Sequence, residues 1–425
     1  MKQAGVGLIS RFGAVVATFA ATPLMLHSLG KQQFGVWLVL LSVFQWITLF
    51  DLGVSAGARN EIARAAAAHD PARIRRAITT GWLYVSLISL TLFFLAALVL
   101  VLTPVQPWLQ EHAFGGVDAG AALWIVTAGA CTSFAAGYVQ SVYAALEQAS
   151  AFSVFSLLSN LAFLALLGVA QPLSLHRLAD IALLYLLAML GANIWLIARF
   201  FKAYPQYWPR RVDVDPALRG SILGFGARLF IIQLAALVIF TTSRLMVSML
   251  LGPESVVVYD AGFKVFSLVT LVHTLIMSTL WSSFTQAYER GEMDWIHRSL
   301  LRLVQLMLPL ILGCAVLAWL SPHIIRLWLG SEQVGTLGFY MLFAVTTILG
   351  CWSNIFAYFL NGIGNMRLQF YSAIAAGLVN IPATYFFTVT INLGLIGIML
   401  GTMVSLCFFS LLGPLQVYRL LKTNP

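Results

Sequence analysis

Among the ionisable side chains set well inside long apolar runs, Arg11, Arg228, Arg244 and Lys264 are basic, Asp51 and Asp260 are acidic, and His273 has an imidazole of a kind that titrates near neutrality. Arg228 and Arg244 have no acid at helical spacing. Their guanidinium forks, which match phosphate or carboxylate oxygens two at a time, are thus open to an anion. Asp260 and Lys264 stand four apart and can pair along one helix. An excess of four positive groups over two negative ones suits an anionic ligand and suits an organic cation poorly. Covalent chemistry has no footing here. Cys131, Cys314, Cys351 and Cys407 are scattered without a CxxC, and no HxxxH pattern is present, so neither a disulfide nor a metal site is expected. No GxxxxGK[ST] loop is available to cradle a nucleotide. The expectation is no catalytic residue and no cofactor.

The elements that must hold these charges are membrane helices. Of the 425 residues 60% are hydrophobic and 9% charged, against roughly 25% charged in a soluble domain. Apolar runs near the length of about 20 residues that crosses a bilayer cover 5–29, 33–57, 79–103, 120–145, 150–170, 180–201, 220–251, 255–285, 300–320, 336–360, 367–390 and 392–417. They are apolar on every side rather than alternating, which points to helices and not to barrel strands. The predicted fold is an all-α polytopic membrane protein of about twelve transmembrane helices, in two six-helix bundles around a central cavity. A charge near the bilayer centre costs about 2.5–3.5 kcal/mol on insertion scales, so the intramembrane charges should face a cavity or a partner.

Lysines and arginines set the orientation. Seventeen fall on the side of the N-terminus, from Lys2 through Arg59–Arg76, Arg199–Arg219 and Arg290–Arg302 to Arg367, Arg419 and Lys422, against three on the other side, Lys31, Arg177 and Arg326. Both termini are therefore expected in the cytoplasm. The formal charge of +9 reflects topology, and nucleic acid is not an expected partner. KAYPQYWPRRVDVDP, from Lys202 to Pro216, is the longest polar interruption. It marks a cytoplasmic linker at 203–219 between bundles at 1–202 and 220–425. SRFGA at Ser10 and GFGAR at Gly224 open the two halves, and Leu29-Gly30 and Leu251-Gly252 end their first spans, as expected of parallel repeats. Asp70-Pro71 and Asp215-Pro216 each place an N-cap before a proline and should restart a helix.

Each charge has a structural reading beside the functional one. Arg11 and Asp51 both lie about 9 Å from cytoplasmic span ends and could form an ion pair that locks two helices. Gly53 and Gly57, a GxxxG, would allow close packing beside it. Arg228 is close enough to an end to snorkel. Arg244, about 12 Å from the end at Gly252, is expected to line a cavity. His273 is either a titrating group or a hydrogen-bonded packing residue.

The segments LGKQQFGVW (Leu29–Trp37), FDLGVSAGARNEIA (Phe50–Ala63) and LLGPESVVVYDAGFKVFSL (Leu250–Leu268) resemble Wzx-type oligosaccharide flippases of the MOP superfamily, which also holds the multidrug and toxin extruders. Many of those relatives carry an acidic residue near the position of Arg244. The resemblance implies movement of an undecaprenyl-diphosphate-linked oligosaccharide between leaflets of a bacterial inner membrane, by alternating access around a cationic cavity formed by Arg11, Arg228, Arg244 and Lys264. It also implies polysaccharide-assembly proteins as partners. A proton or sodium gradient could drive transport through Asp51, Asp260 and His273. Two other classes stay open, a multidrug exporter of the same superfamily and a membrane glycosyl polymerase or ligase. The exporter should present unpaired carboxylates. The enzyme should have a larger outer loop than 103–119.

Overall fold

The computed structural model describes residues 2–49, 54–146, 150–173, 175, 177–220, 222, 242–330, 333–363, 365 and 367–423. Regular structure within them is helical throughout. Ten of the described helices are long and apolar enough to cross a bilayer, as a polytopic membrane protein requires. The first, α1 (Lys2–Leu49), holds the expected span 5–29 and residues 33–49 of the expected span 33–57. Gly30, at φ 71° and ψ 169°, interrupts it where the sequence places the first turn. Gly252, at φ 87°, does the same between α8 (Thr242–Leu251) and α9 (Pro253–Glu289). Both glycines use a backbone region that side chains disfavour, so the repeated Leu-Gly has a conformational basis. Most of the expected span 220–251 lies outside the described residues.

The chain divides into two compact units, Met1–Gln233 and Leu234–Pro425. In the first, α2 (Val54–Ala67), α3 (Pro71–Leu102), α4 (Val105–His112), α5 (Gly120–Ala145), α6 (Ser150–Ala170) and α7 (Leu178–Ala203) follow α1. Ile62, Ile78, Tyr138, Val142 and Phe200 fill a core shared by α2, α3, α5 and α7. The opposite face of α3 leaves Leu87, Leu90, Phe94 and Leu98 exposed. In water that stripe would be a liability, whereas against lipid it meets a matching solvent. The second unit continues from α8 and α9 with α10 (Met293–Leu329), α11 (Leu337–Gly362), α12 (Arg367–Tyr385) and α13 (Leu395–Thr423). Phe284, Ile296, Leu303, Phe359 and Val417 form its core between α9, α10, α11 and α13. Pro382 lies in α12, where it lacks a backbone donor, and a π turn at Phe386–Thr390 follows the helix.

The charged stretches after the second span of each half, 57–76 and 286–302, fold as the turns of helical hairpins. Asp70 accepts a hydrogen bond from the Arg73 amide at 2.9 Å, and Pro71 occupies the first position of α3, as the Asp-Pro pair predicts. Asp215 caps a short turn at Pro216–Leu218 in the same way. In the second unit α9 runs for 37 residues, about 55 Å, well beyond the ~30 Å of hydrocarbon. Its last turns carry the charged stretch out of the apolar layer before α10 returns. The polar segment after α7 is held on α3: Arg75 grips Asp213 with two contacts, at 2.9 and 3.0 Å, and Thr80 accepts from the Asp215 amide at 2.9 Å. Gly57, from the GxxxG, lies directly against the backbone of Ile222, with no room for a β-carbon. Gly53 lies outside the described residues.

Candidate functional site

The hairpin of α8 and α9 brings three of the predicted charges together. Gly252 is the point of reversal, and Arg244 and Asp260 each stand eight residues from it, so consecutive antiparallel helices put them side by side. Asp260 Oδ1 accepts hydrogen bonds from Arg244 Nε at 3.0 Å and Nη2 at 2.9 Å. The other carboxylate oxygen, Oδ2, contacts Lys264 Nζ at 2.8 Å, one helical turn along. Asp260 is 2% exposed, while Arg244 and Lys264 keep 12% and 14% of their side-chain surface open. The anion is thus buried beneath two cations that still reach the surface, and the cluster has a net single positive charge.

Neighbouring side chains fix this arrangement. The Arg244 guanidinium lies over the Phe263 ring, 5.1 Å from its centroid, a cation–π contact that restrains the fork. The Tyr259 and Ser243 side chains are hydrogen-bonded, tying α9 to α8 one position away from the ion cluster. Tyr259, Ser243 and Phe263 are additions to the predicted site. Hairpin symmetry about Gly252 would have paired Arg244 with Asp260, since helical spacing sees only one helix at a time, and these three neighbours follow only from the contacts around that pair.

This geometry corrects one expectation. Arg244 is not an unpaired arginine, because its acid is sixteen residues away across a turn. The predicted Asp260–Lys264 pair along α9 is present. Arg11 Nε donates to Ser153 Oγ at 3.1 Å, joining α1 to α6, and the pair anticipated between Arg11 and Asp51 falls outside the described residues. Asp51 and Arg228 lie outside the described residues. His273 is buried, with Nδ1 unpartnered among the described residues. It is thirteen residues beyond Asp260 on α9, about 20 Å along the axis, so it is not part of the ion cluster.

A further buried acid, which the sequence did not single out, comes from the charged stretch between the first unit's second span and α3. Glu61 on α2 is 3% exposed and faces Arg73 of α3 at 3.4 Å and Arg64 at 3.7 Å. Its Oε2 has no hydrogen-bond partner among the described residues. Neither cluster resembles a metal centre, and no group of three or more metal-ligating residues occurs among the described residues. A cleft of about 150 Å³ in the 103–119 region is lined by Gln106, Gln110, Phe114 and Asp118 and carries no basic side chain. It is therefore unsuited to an anion.

Comparison with known proteins extends these observations. The family model described as Polysaccharide biosynthesis protein matches residues 2–286, which include all three segments that resemble the flippases. The model described as MatE matches residues 229–386. A Salmonella typhi protein carrying the name O-antigen transporter is 20% identical over 410 residues, covering 94% of this chain and 91% of its own. A Yersinia pseudotuberculosis protein named for O-antigen export is 18% identical over 410 residues, with 93% and 90% covered. Among solved structures, the inward-facing conformation of a multidrug resistance MATE family transporter of the MOP superfamily superposes with a TM-score of 0.81. It is 16% identical, over 99% of this chain and 100% of that one. An outward-facing conformation of such a transporter gives 0.64 at 15% identity, over 97% and 96%. At these identities the structures establish the fold. Because the first family model covers more than half of the 425 residues, and because the fold is that of the MATE transporters, the chain belongs to the polysaccharide biosynthesis protein family.

Proposed function

We propose that this protein is a flippase that moves an undecaprenyl-diphosphate-linked oligosaccharide from the cytoplasmic to the periplasmic leaflet of a bacterial inner membrane, with both termini in the cytoplasm. The observation that carries the reading is the Arg244–Asp260–Lys264 cluster, a net-positive group with two partly open cations inside an apolar helix pair. A diphosphate and its sugars cannot cross hydrocarbon unaided, whereas the prenyl tail can remain in lipid. Guanidinium and ammonium groups at membrane depth replace part of the water that the phosphates lose, and that lowers the barrier with no bond made or broken. Arg11, half-buried on α1, and Arg228 are the other basic groups assigned to the path. Alternating access supplies the movement, and a proton or sodium gradient supplies the direction, with Asp51, Asp260 and His273 as the groups that would respond to it. The O-antigen names of the two relatives support the substrate class.

The multidrug-exporter reading has the fold in its favour. It is weakened by Asp260, the buried carboxylate of the second-unit cluster, which is satisfied by two cations and so offers no free charge to a cationic drug. Thermal stabilisation of the purified chain separates the readings. A prenyl-diphosphate-linked oligosaccharide should raise the unfolding temperature, and organic cations should not. Stabilisation by organic cations alone would favour the exporter.

A further inference from the structure

Resting on that reading, we infer that Asp260 is the residue that sets specificity for a diphosphate over the singly charged phosphodiesters of ordinary membrane lipids. A flippase faces a severe selection problem. Its substrate is a minor component of a bilayer whose bulk lipids also carry phosphate, and a pair of bare cations open to lipid would hold any of them.

The geometry answers this with an internal competitor. Each oxygen of Asp260 serves a different cation, Oδ1 meeting Arg244 through two hydrogen bonds and Oδ2 meeting Lys264. A phosphodiester offers two anionic oxygens on one atom and a single negative charge. That is the bite and the charge that the carboxylate already provides, and the carboxylate is tethered in place, so exchange gains the lipid nothing. A diphosphate diester carries one negative charge on each of two phosphates, set farther apart than the oxygens of a carboxylate. It can give each cation its own phosphate, and its two negative charges are drawn more strongly than the one of a phosphodiester to the single positive charge that the cluster carries. The residual openness of Arg244 and Lys264 above a buried Asp260 is the arrangement that such a comparison needs, because the cations are reachable and the competing anion is not. Specificity here is a difference of affinities obtained by disfavouring the wrong ligand. Phe263 contributes by holding the Arg244 fork so that it turns toward ligand without leaving the site.

The test uses the full-length chain reconstituted in vesicles of phosphatidylethanolamine, with two fluorescent probes, phosphatidylglycerol and a prenyl-diphosphate-linked sugar. The parent should move the diphosphate probe and leave phosphatidylglycerol at the rate of protein-free vesicles. Asp260→Asn keeps the shape and removes the charge. It should raise phosphatidylglycerol movement and lower the diphosphate-to-monophosphate rate ratio by about tenfold or more, the worth of one charge-assisted contact. Asp260→Glu should restore most of the ratio, a rescue that a packing role would not produce. A folded Asp260→Asn protein with the parent's ratio would overturn the assignment. A measurement on the parent alone serves if Asp260→Asn does not fold: unlabelled phosphatidylglycerol at a third of the lipid should leave diphosphate movement unchanged. Inhibition there would also overturn it. A parent that moves neither probe would instead overturn the flippase reading itself.

Discussion

Arg244 and Lys264 share one carboxylate, so losing a cation and losing the anion should not be additive. Arg244→Met removes the hydrogen bonds at 2.9 and 3.0 Å and leaves Oδ1 in a side chain that is 2% exposed. Water cannot replace what is lost. Breaking a buried pair from one side costs about 3–5 kcal/mol; Lys264 still meets Oδ2 at 2.8 Å, so the loss falls at the lower end of that range. Asp260→Asn acts on groups that are 12% and 14% exposed and can turn toward water, and the amide oxygen still accepts one hydrogen bond. Its cost should be smaller, about 2–3 kcal/mol. In the double variant a neutral amide replaces the stranded carboxylate, so the total should come close to Asp260→Asn alone. The coupling energy is then at least about 2 kcal/mol. At roughly 2–4 °C per kcal/mol for a domain of this size, Arg244→Met should lower the unfolding temperature by about 10 °C, and adding Asp260→Asn should recover part of that. Thermal unfolding of the purified chain in nanodiscs measures all three. Singles that sum to the double within about 0.5 kcal/mol would mean that the groups do not share a charge, and the reasoning would fail.

Other outcomes follow from particular contacts. Gly57→Ala should destabilise the first unit by about 1–3 kcal/mol, because the added carbon meets the Ile222 backbone and not a movable side chain; unchanged stability would refute that close approach. Gly401→Ala should do the same in the second unit, where a β-carbon would meet the backbone of Thr384. Phe263→Leu should cost about 0.5–2 kcal/mol by removing the ring beneath Arg244, read by the same unfolding assay. Arg75→Ala releases Asp213 and loosens the segment after α7, so trypsin should cut at Arg210 or Arg211 several-fold faster than in the parent.

Much of this was legible in the sequence because a bilayer simplifies the problem. Length and apolarity alone place most spans, and Asp-Pro and Leu-Gly pairs mark turns whose backbone needs are specific: Asp70 caps α3, and Gly30 and Gly252 take positive φ. The Asp260–Lys264 pair was visible because four residues is a helical repeat. Its third member was hidden by the same rule, since Arg244 reaches Asp260 across a turn and spacing within one helix cannot register it. Glu61 was not singled out, for another reason. A run rich in arginine and acid resembles a solvated loop, yet it folds as a hairpin whose inner face buries Glu61 under Arg73. Arg11 could be placed at membrane depth, but its hydrogen bond to Ser153 joins residues 142 positions apart, and no local pattern encodes such a meeting.

The most direct test of the central claim is transbilayer movement of a labelled undecaprenyl-diphosphate oligosaccharide in proteoliposomes. The parent is compared with Arg11→Ala, Arg228→Ala, Arg244→Ala and Lys264→Ala at matched amounts of folded protein. A phosphate-reading path predicts movement by the parent and its loss, by about tenfold or more, when Arg244 or Lys264 is removed. No movement by the parent across a range of lipid-linked sugars, together with transport of organic cations, would contradict it.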